Sequence, residues 1–304
     1  MPITYHHAVS TNKDSYEWVE ENVTPFEELI ISWNALRPKV GYFHISISFK
    51  KSNWTPYVDY IVWSHEGQKS FDSKNHSIES YQDIVSVKEG KATGFKIRVE
   101  SKGGAQLKYL FSLHACTGDK HYQVLPQTNL ETVLPAPVPG LSQLALNHPR
   151  NRSICSPTST TAVIRYLLKE NYQPLEFASK VYDHGFDIYG NWVFNVAQAS
   201  THLGPSWHCW VARLHGMEDL IRRLKIGPLV VSVKGTFPGA LIPYDSGHLI
   251  AVRGYDAEKQ LVHCMDPAYF TDQETLVSYP LVSFKTAWEN RKCLAYLFER
   301  RAKG

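Results

Sequence analysis

The chain has 304 residues, 43% of them hydrophobic and 20% charged, with a formal net charge of +3. That balance belongs to an ordinary soluble globular protein, and the length is long for one domain and comfortable for two. The few excess Lys and Arg residues are not gathered on one element, which argues against nucleic acid as a partner, and no apolar run is long enough to cross a bilayer, so no membrane association is expected.

The first residues, Met1 to His7, lack the basic and apolar segments of a secretory signal, so a cytoplasmic location is expected; signal-independent export fits the same sequence. Residues from about Glu20 to Trp33 fit either a short helix or an extended lead-in. From Tyr42 the pattern is that of a half-buried strand, with Phe43, Ile45, Ile47 and Phe49 alternating with polar residues. Tyr57 to Trp63 reads as a second strand and Ser70 to Ser80 as a loop. Phe95, Ile97 and Val99 alternate again, and Gln106 to Leu113 follows after two glycines, which suggests a hairpin. Short alternating strands with no convincing helix between them predict an antiparallel β-sandwich. Its aromatics Trp54, Tyr57, Tyr60 and Trp63 either face a glycan or protein ligand or simply pack in the sheet.

Val133 to Gly140 carries proline at alternate positions, which predicts a stiff extended connector and a domain boundary near residue 135. The domains expected are therefore 1–135 and 136–304. In the second, helical patterns run from Cys155, over Pro174–Tyr182, from Trp192 to His202 with Asn191 as its cap, and over Met217–Lys225. Leu229–Val233, His248–Arg253, Gln260–Met265 and Leu294–Phe298 read as strands, with a short helix over Ser283–Glu289. The late strands are adjacent in sequence and hairpin-like, so the fold class expected is α+β rather than a parallel α/β sheet.

The five cysteines are scattered, odd in number and without metal-ligand spacing, so neither a zinc site nor any other cofactor is expected. Cys155 differs from the rest in standing where a helix begins. Ser156 is a candidate cap and Pro157 suits a first turn, where its missing N–H has no partner to lose. A thiol there feels the positive end of the helix dipole, which favours thiolate. The competing reading is a buried structural cysteine.

A thiolate nucleophile needs a histidine to move protons and a third group to orient it. With fourteen histidines present, position has to choose among them. If the turn between the two late strands centres near Ala257, His248 falls opposite Asp266, within reach of an imidazole–carboxylate hydrogen bond. His263 is an odd step away and points to the other face. A purely structural His–Asp pair would satisfy the same register.

Gln143, Cys155 opening a helix, Gly227-Pro228 before an apolar strand, Ser246-Gly247-His248 and Asp266-Pro267-Ala268 together resemble the bacteriocin-leader-peptidase-like (double-glycine-peptidase-like) cysteine peptidases of the papain-like fold. The resemblance covers roughly residues 137 to 300. It is nearest to a bacterial subset with a β-sandwich in front, which shows Cys-Ser-Pro-Thr-Ser, as at Cys155–Ser159, and Gly-Asn-Trp-x-Phe-Asn, as at Gly190–Asn195. Many other members carry Cys-Gly-Pro where this chain has Cys155-Ser156-Pro157. The resemblance implies a papain-like cysteine peptidase domain preceded by an antiparallel β-sandwich domain. It implies Cys155 as nucleophile, His248 as base, Asp266 as the orienting acid and Gln143 in the oxyanion hole. Trp192 and Asn195 are candidate substrate-binding residues, against a packed Trp and a helix-surface Asn. The reaction expected is hydrolysis of a peptide or isopeptide bond in a peptide or protein substrate. The alternatives are a non-catalytic glycan- or protein-binding protein on a retired scaffold, and an acyl transferase using the same three residues.

Overall fold

The computed structural model describes residues 1–125 and 130–301. By contact the chain divides into two units, residues 1–122 with 181–205, and residues 123–180 with 206–304. Residues 181–205 thus cluster with the first unit, across the single boundary near 135 expected from the sequence.

The first unit holds eleven strands: β1 (Ile3–Ala8), β2 (Ser15–Phe26), β3 (Glu28–Ala35), β4 (Tyr42–Lys50), β5 (Val58–Ser64), β6 (Lys69–Ser70), β7 (Asp72–Lys74), β8 (Ile78–Tyr81), β9 (Ile84–Val87), β10 (Ala92–Lys102) and β11 (Leu110–Gly118). They form two antiparallel sheets, ordered β1-β11-β3-β9-β8-β7 and β2-β10-β4-β5-β6. The alternation read in the sequence becomes cross-strand pairing: Phe95, Ile97 and Val99 stand opposite Phe49, Ile47 and Ile45, all buried. Side chains of the two sheets meet, as where Trp33 of β3 lies 5.8 Å from Trp63 of β5 and Tyr5 of β1 5.8 Å from Phe95 of β10.

Three expectations are corrected here. For Glu20–Trp33 the helical reading fails and the extended one holds, the stretch being most of β2 and β3 rather than a lead-in. The Ser70–Ser80 stretch contains β7 and part of β8 rather than loop alone. β10 and β11 are not a hairpin, because β10 pairs with β2 and β4 while β11 pairs with β1 and β3. Alternation reports which face of a strand is buried, not which strand lies beside it. The aromatic face is not assembled either. Tyr60 and Trp63 are core residues at 0% exposure. Trp54 and Tyr57 are half-buried under the cations of Lys96 (4.3 Å) and Arg98 (4.0 Å).

The helices are α1 (Cys155–Leu168), α2 (Pro174–Val181), α3 (Trp192–Leu203), α4 (Met217–Leu224) and α5 (Leu281–Glu289). The start of α3 is held by side chains of the first unit. Asn191 accepts from the Phe194 N–H (3.1 Å), as expected of a cap, and the buried Asp83 carboxylate accepts from the N–H groups of Trp192 (2.7 Å) and Val193 (3.3 Å). These are donors that a helix start leaves without intrahelical partners.

The second unit is built on one antiparallel sheet of β12 (Trp207–Arg213), β13 (Leu229–Gly235), β14 (Tyr244–Asp256), β15 (Leu261–Met265), β16 (Leu276–Pro280) and β17 (Leu294–Arg300), in the order β12-β17-β13-β14-β15-β16. Helix α1 packs on β13 and β14. The proline connector docks on the far end of β14: Val133 and Tyr255 exchange N–H···O bonds of 2.8 Å, and the Ala136 N–H reaches Arg253 O (2.7 Å). Gly254 permits this, since a Cβ there would lie 2.6 Å from the Pro135 Cα. The chain is thus a mixed α/β protein with antiparallel sheets and few helices. Among the described residues no helix is long and apolar enough to cross a membrane.

Candidate active site

Helix α1 places the thiol. Ile154 stands at its cap position without a side-chain hydrogen bond, Cys155 is its first residue and Pro157 its third. Pro157 therefore occupies the turn where an N–H is not needed. Ser156 is not the cap: it lies inside the helix, fully buried, with Oγ 3.0 Å from the Tyr296 hydroxyl. With no side chain filling the N-terminus, its positive end is presented at Cys155. Ser159 Oγ donates to Leu249 O (2.9 Å), fastening the helix to β14 one residue past His248. Cys155 is partly exposed, whereas the other four cysteines are buried.

Strand β14 carries His248, opposite Val233 of β13. Gly247 before it has φ +95°, so the backbone calls for glycine, while a Cβ there would make only ordinary contact, 3.4 Å, with the Arg291 guanidinium. His248 Nε2 lies 2.8 Å from Asp266 Oδ1. The expected contact exists, but not in the expected register. Ala251 faces Met265 and Val252 faces Cys264, with a register shift before Gly254 faces His263. One step further, the same register sets Asp266 against Ile250, two residues from His248. The turn occupies residues 257–260 instead of centring on Ala257, and an irregularity at Arg253 returns part of the offset. Residues two apart share a face, so the pair meets diagonally. His263 does point elsewhere, with Nδ1 2.8 Å from Ser278 Oγ.

Asp266 is fully buried, yet its carboxylate has four partners. Oδ1 meets His248 Nε2 and accepts from the Ala268 N–H (3.0 Å). Oδ2 accepts from the hydroxyls of Tyr244 (2.8 Å) and Tyr279 (2.7 Å). Burial alone would push this carboxyl up, but His248, Tyr279 and the Ala268 N–H outweigh it and hold it below the usual carboxylate range. Burial likewise opposes charge on His248, and the negative groups of Asp266 and Cys155 overcome it, pushing the imidazole up to about 10. For Cys155, burial raises the thiol and the charge and hydrogen bond of His248 lower it further than burial lifts it, helped by the Leu249 and Ser156 N–H groups. Since Nε2 is taken by Asp266, the other ring nitrogen, Nδ1, is the one left for the sulfur. The Tyr244 ring stacks on the imidazole at 4.0 Å and 21°, fixing its plane.

Cys155, His248 and Gln143 line one cavity of about 450 Å³, together with Leu144, Arg152, the 241–247 segment, Ala268 and Phe270. The Gln143 N–H donates to Pro267 O (2.9 Å), tying it to the residue after Asp266. Its side-chain Oε1 is buried and accepts no hydrogen bond among the described residues. Leu241, Ile242 and Phe270 leave 43%, 49% and 65% of their surface exposed at the rim. Among the described residues no group of three or more His, Cys, Asp or Glu side chains is placed to hold a metal ion.

Trp192 and Asn195 are not among the residues that line this cavity. Both belong to the first unit. Asn195 is fully buried rather than on a helix surface, and its Nδ2 donates to Asn191 O (2.7 Å) and Tyr189 O (3.0 Å). The Gly190–Asn195 stretch makes the start of α3. Nothing in the sequence singles out Tyr244 or Tyr279. Tyr244 lies four residues before His248, because β14 starts ahead of the strand expected from His248 onward, and Tyr279 sits on β16, a strand that no alternation announces.

The Peptidase C39-like family matches residues 136–296, which include Gln143, Cys155, His248 and Asp266. A solved structure described as a C39-like peptidase from Bacillus anthracis aligns at 19% identity and a TM-score of 0.43, over 57% of this chain and 100% of that one. No curated protein sequence matches the chain. The family match spans more than half of the residues, and on that ground the chain belongs to the C39-type cysteine peptidases of the Peptidase C39-like family.

Proposed function

We propose that the protein is a cysteine peptidase whose papain-like domain, residues 136–304, follows an antiparallel β-sandwich over residues 1–135, and that Cys155, His248 and Asp266 act as its triad. The observation that carries this reading is the imidazole of His248, bonded through Nε2 to a fully buried carboxylate while its charge lowers the thiol of Cys155. In the resting state the Cys155 proton resides on His248. The thiolate adds to the carbonyl carbon of the substrate amide. The Gln143 side-chain amide and the Cys155 backbone N–H hold the resulting oxyanion, the arrangement in which each donor typically contributes about a hundredfold or more in rate. The imidazolium then gives its proton to the departing amine, leaving an acyl-thioester. Water attacks this thioester as His248 takes the water's proton, and the acid leaves with the thiolate restored. Asp266 stays ionised throughout, orienting the ring and stabilising its charged form. The exposed Leu241, Ile242 and Phe270 at the cavity rim suit an apolar side chain of the peptide beside the scissile bond.

An electrophilic peptide probe tests this directly. A peptidyl vinyl sulfone with a bulky apolar residue next to the warhead should add once, at Cys155, and peptide mapping of the adduct should find it there. His248→Ala should abolish the adduct. Equal labelling of all five cysteines, or labelling of Cys155 that is indifferent to His248→Ala, overturns the reading.

A further inference from the structure

A carboxylate at 0% exposure would ordinarily take up a proton, because burial penalises its charge. Asp266 is spared this by donors on both oxygens, and the division of labour between them is informative. Oδ1 serves His248 and the Ala268 N–H, while Oδ2 is held by two tyrosine hydroxyls from different strands, Tyr244 of β14 and Tyr279 of β16. Both phenols are fixed in turn. Phe237 stacks on Tyr279 at 4.3 Å, the Tyr269 hydroxyl lies 3.4 Å from that of Tyr279, and Tyr244 is stacked on the imidazole itself. The remaining titratable groups facing this carboxylate, Cys264 and Tyr269, are both pushed up, by burial first and by Asp266 itself, and stay protonated at neutral pH.

We propose that Tyr244 and Tyr279 are positioning residues of this site, whose hydroxyls keep Asp266 ionised and aim its Oδ1 at His248 Nε2. The inference rests on Cys155, His248 and Asp266 acting as a triad. Removing a hydroxyl leaves the carboxylate just as buried but with one donor fewer, so its pKa rises. As the pH falls, Asp266 then protonates sooner, the imidazolium loses its counter-charge and the thiolate reverts to thiol. The acid limb of Cys155 reactivity therefore moves to higher pH; the hydroxyl itself is worth about one unit on Asp266, the size expected for a hydrogen bond to a charged group, and this is the upper bound on the move. Phenylalanine keeps both rings and their stacking, so it isolates the hydroxyl.

The experiment measures the iodoacetamide rate at Cys155 from pH 4 to 10 in the full chain, for wild type, Tyr244→Phe, Tyr279→Phe, the double variant and His248→Ala, with thermal unfolding in parallel. Each single variant should shift the acid limb upward, by up to about one unit, and the double variant further; either single variant suffices if the double one does not fold. Tyr→Phe profiles that superimpose on a His248-dependent wild type, with only the melting temperature lowered, overturn the inference alone. A wild-type profile that His248→Ala leaves unchanged overturns the triad, and this inference with it.

Discussion

Replacing Asp266 by asparagine should disarm Cys155 while leaving the fold intact. The carboxylate lies 2.8 Å from His248 Nε2, a separation at which opposite unit charges attract by about 6 kcal/mol at an effective dielectric of 20, or about four pKa units. An amide keeps one acceptor for the imidazole but no charge, so a fall of about two units is a conservative expectation for His248, and the thiol rises correspondingly. The sign follows from the wild-type state: the carboxylate holds His248 up at about 10, and without it the ring holds its proton less firmly and supports the thiolate less. Thiolate at Cys155, and with it alkylation at pH 7, should drop by at most about a hundredfold, up to about ten for each unit. Folding is spared because the Tyr244 and Tyr279 hydroxyls, which now donate to Oδ2, can turn to accept from the new amide N–H groups. The assay is the iodoacetamide rate at Cys155 as a function of pH, read by mass spectrometry of the Cys155 peptide, with circular dichroism to confirm the fold. A folded Asp266→Asn protein alkylated at the wild-type rate at pH 7 would show that the imidazolium owes nothing to Asp266, and the electrostatic reasoning would fail.

In the wild type, alkylation at Cys155 should reach its plateau at lower pH than that of an ordinary cysteine, because His248 lowers its thiol, while Cys209 and Cys264, both pushed up by burial, react only on unfolding. Quantifying each cysteine peptide with and without denaturant checks this; comparable native labelling of Cys209 or Cys264 would contradict it. Gln143→Ala should lower kcat about a hundredfold with little change in KM, since the donor is needed mainly when the oxyanion forms; a change in KM alone would assign Gln143 to ground-state binding. Gly247→Ala should destabilise the protein by about 1–3 kcal/mol, because φ of +95° strains any side chain. Urea unfolding measures it, and an unchanged midpoint would rule out strain at that position.

Much of the candidate site was legible in the residue order because its elements are local. Cys155 followed by Pro157 and an apolar helical face declares a helix start without reference to the rest of the chain. Pro267 after Asp266 marks the end of β15 in the same way, whereas Gly247 before His248 lies inside β14. The β-strands from Tyr42 onward and the Asn191 cap are local in the same sense, since alternation and side-chain capping need only neighbours a few residues away. What the order of residues could not decide was partnership. β10 and β11 carry hairpin-like patterns and yet lie in different sheets, because burial of a face does not specify the adjacent strand. Trp192 and Asn195 read as cleft residues, whereas Asp83, more than a hundred positions away, fastens the start of their helix in the first unit. The same limit hid Tyr244 and Tyr279. Their hydroxyls converge on Asp266 only after β14, β15 and β16 pair in one register, and the His248–Asp266 contact itself survives because a turn and a local irregularity move the register by two residues, which preserves the face. Sequence thus determined which side chains can carry the chemistry, since reactivity and local backbone preference belong to the residues themselves. Only the tertiary structure decided which of them share a carboxylate, because long-range register depends on pairings that no local pattern encodes.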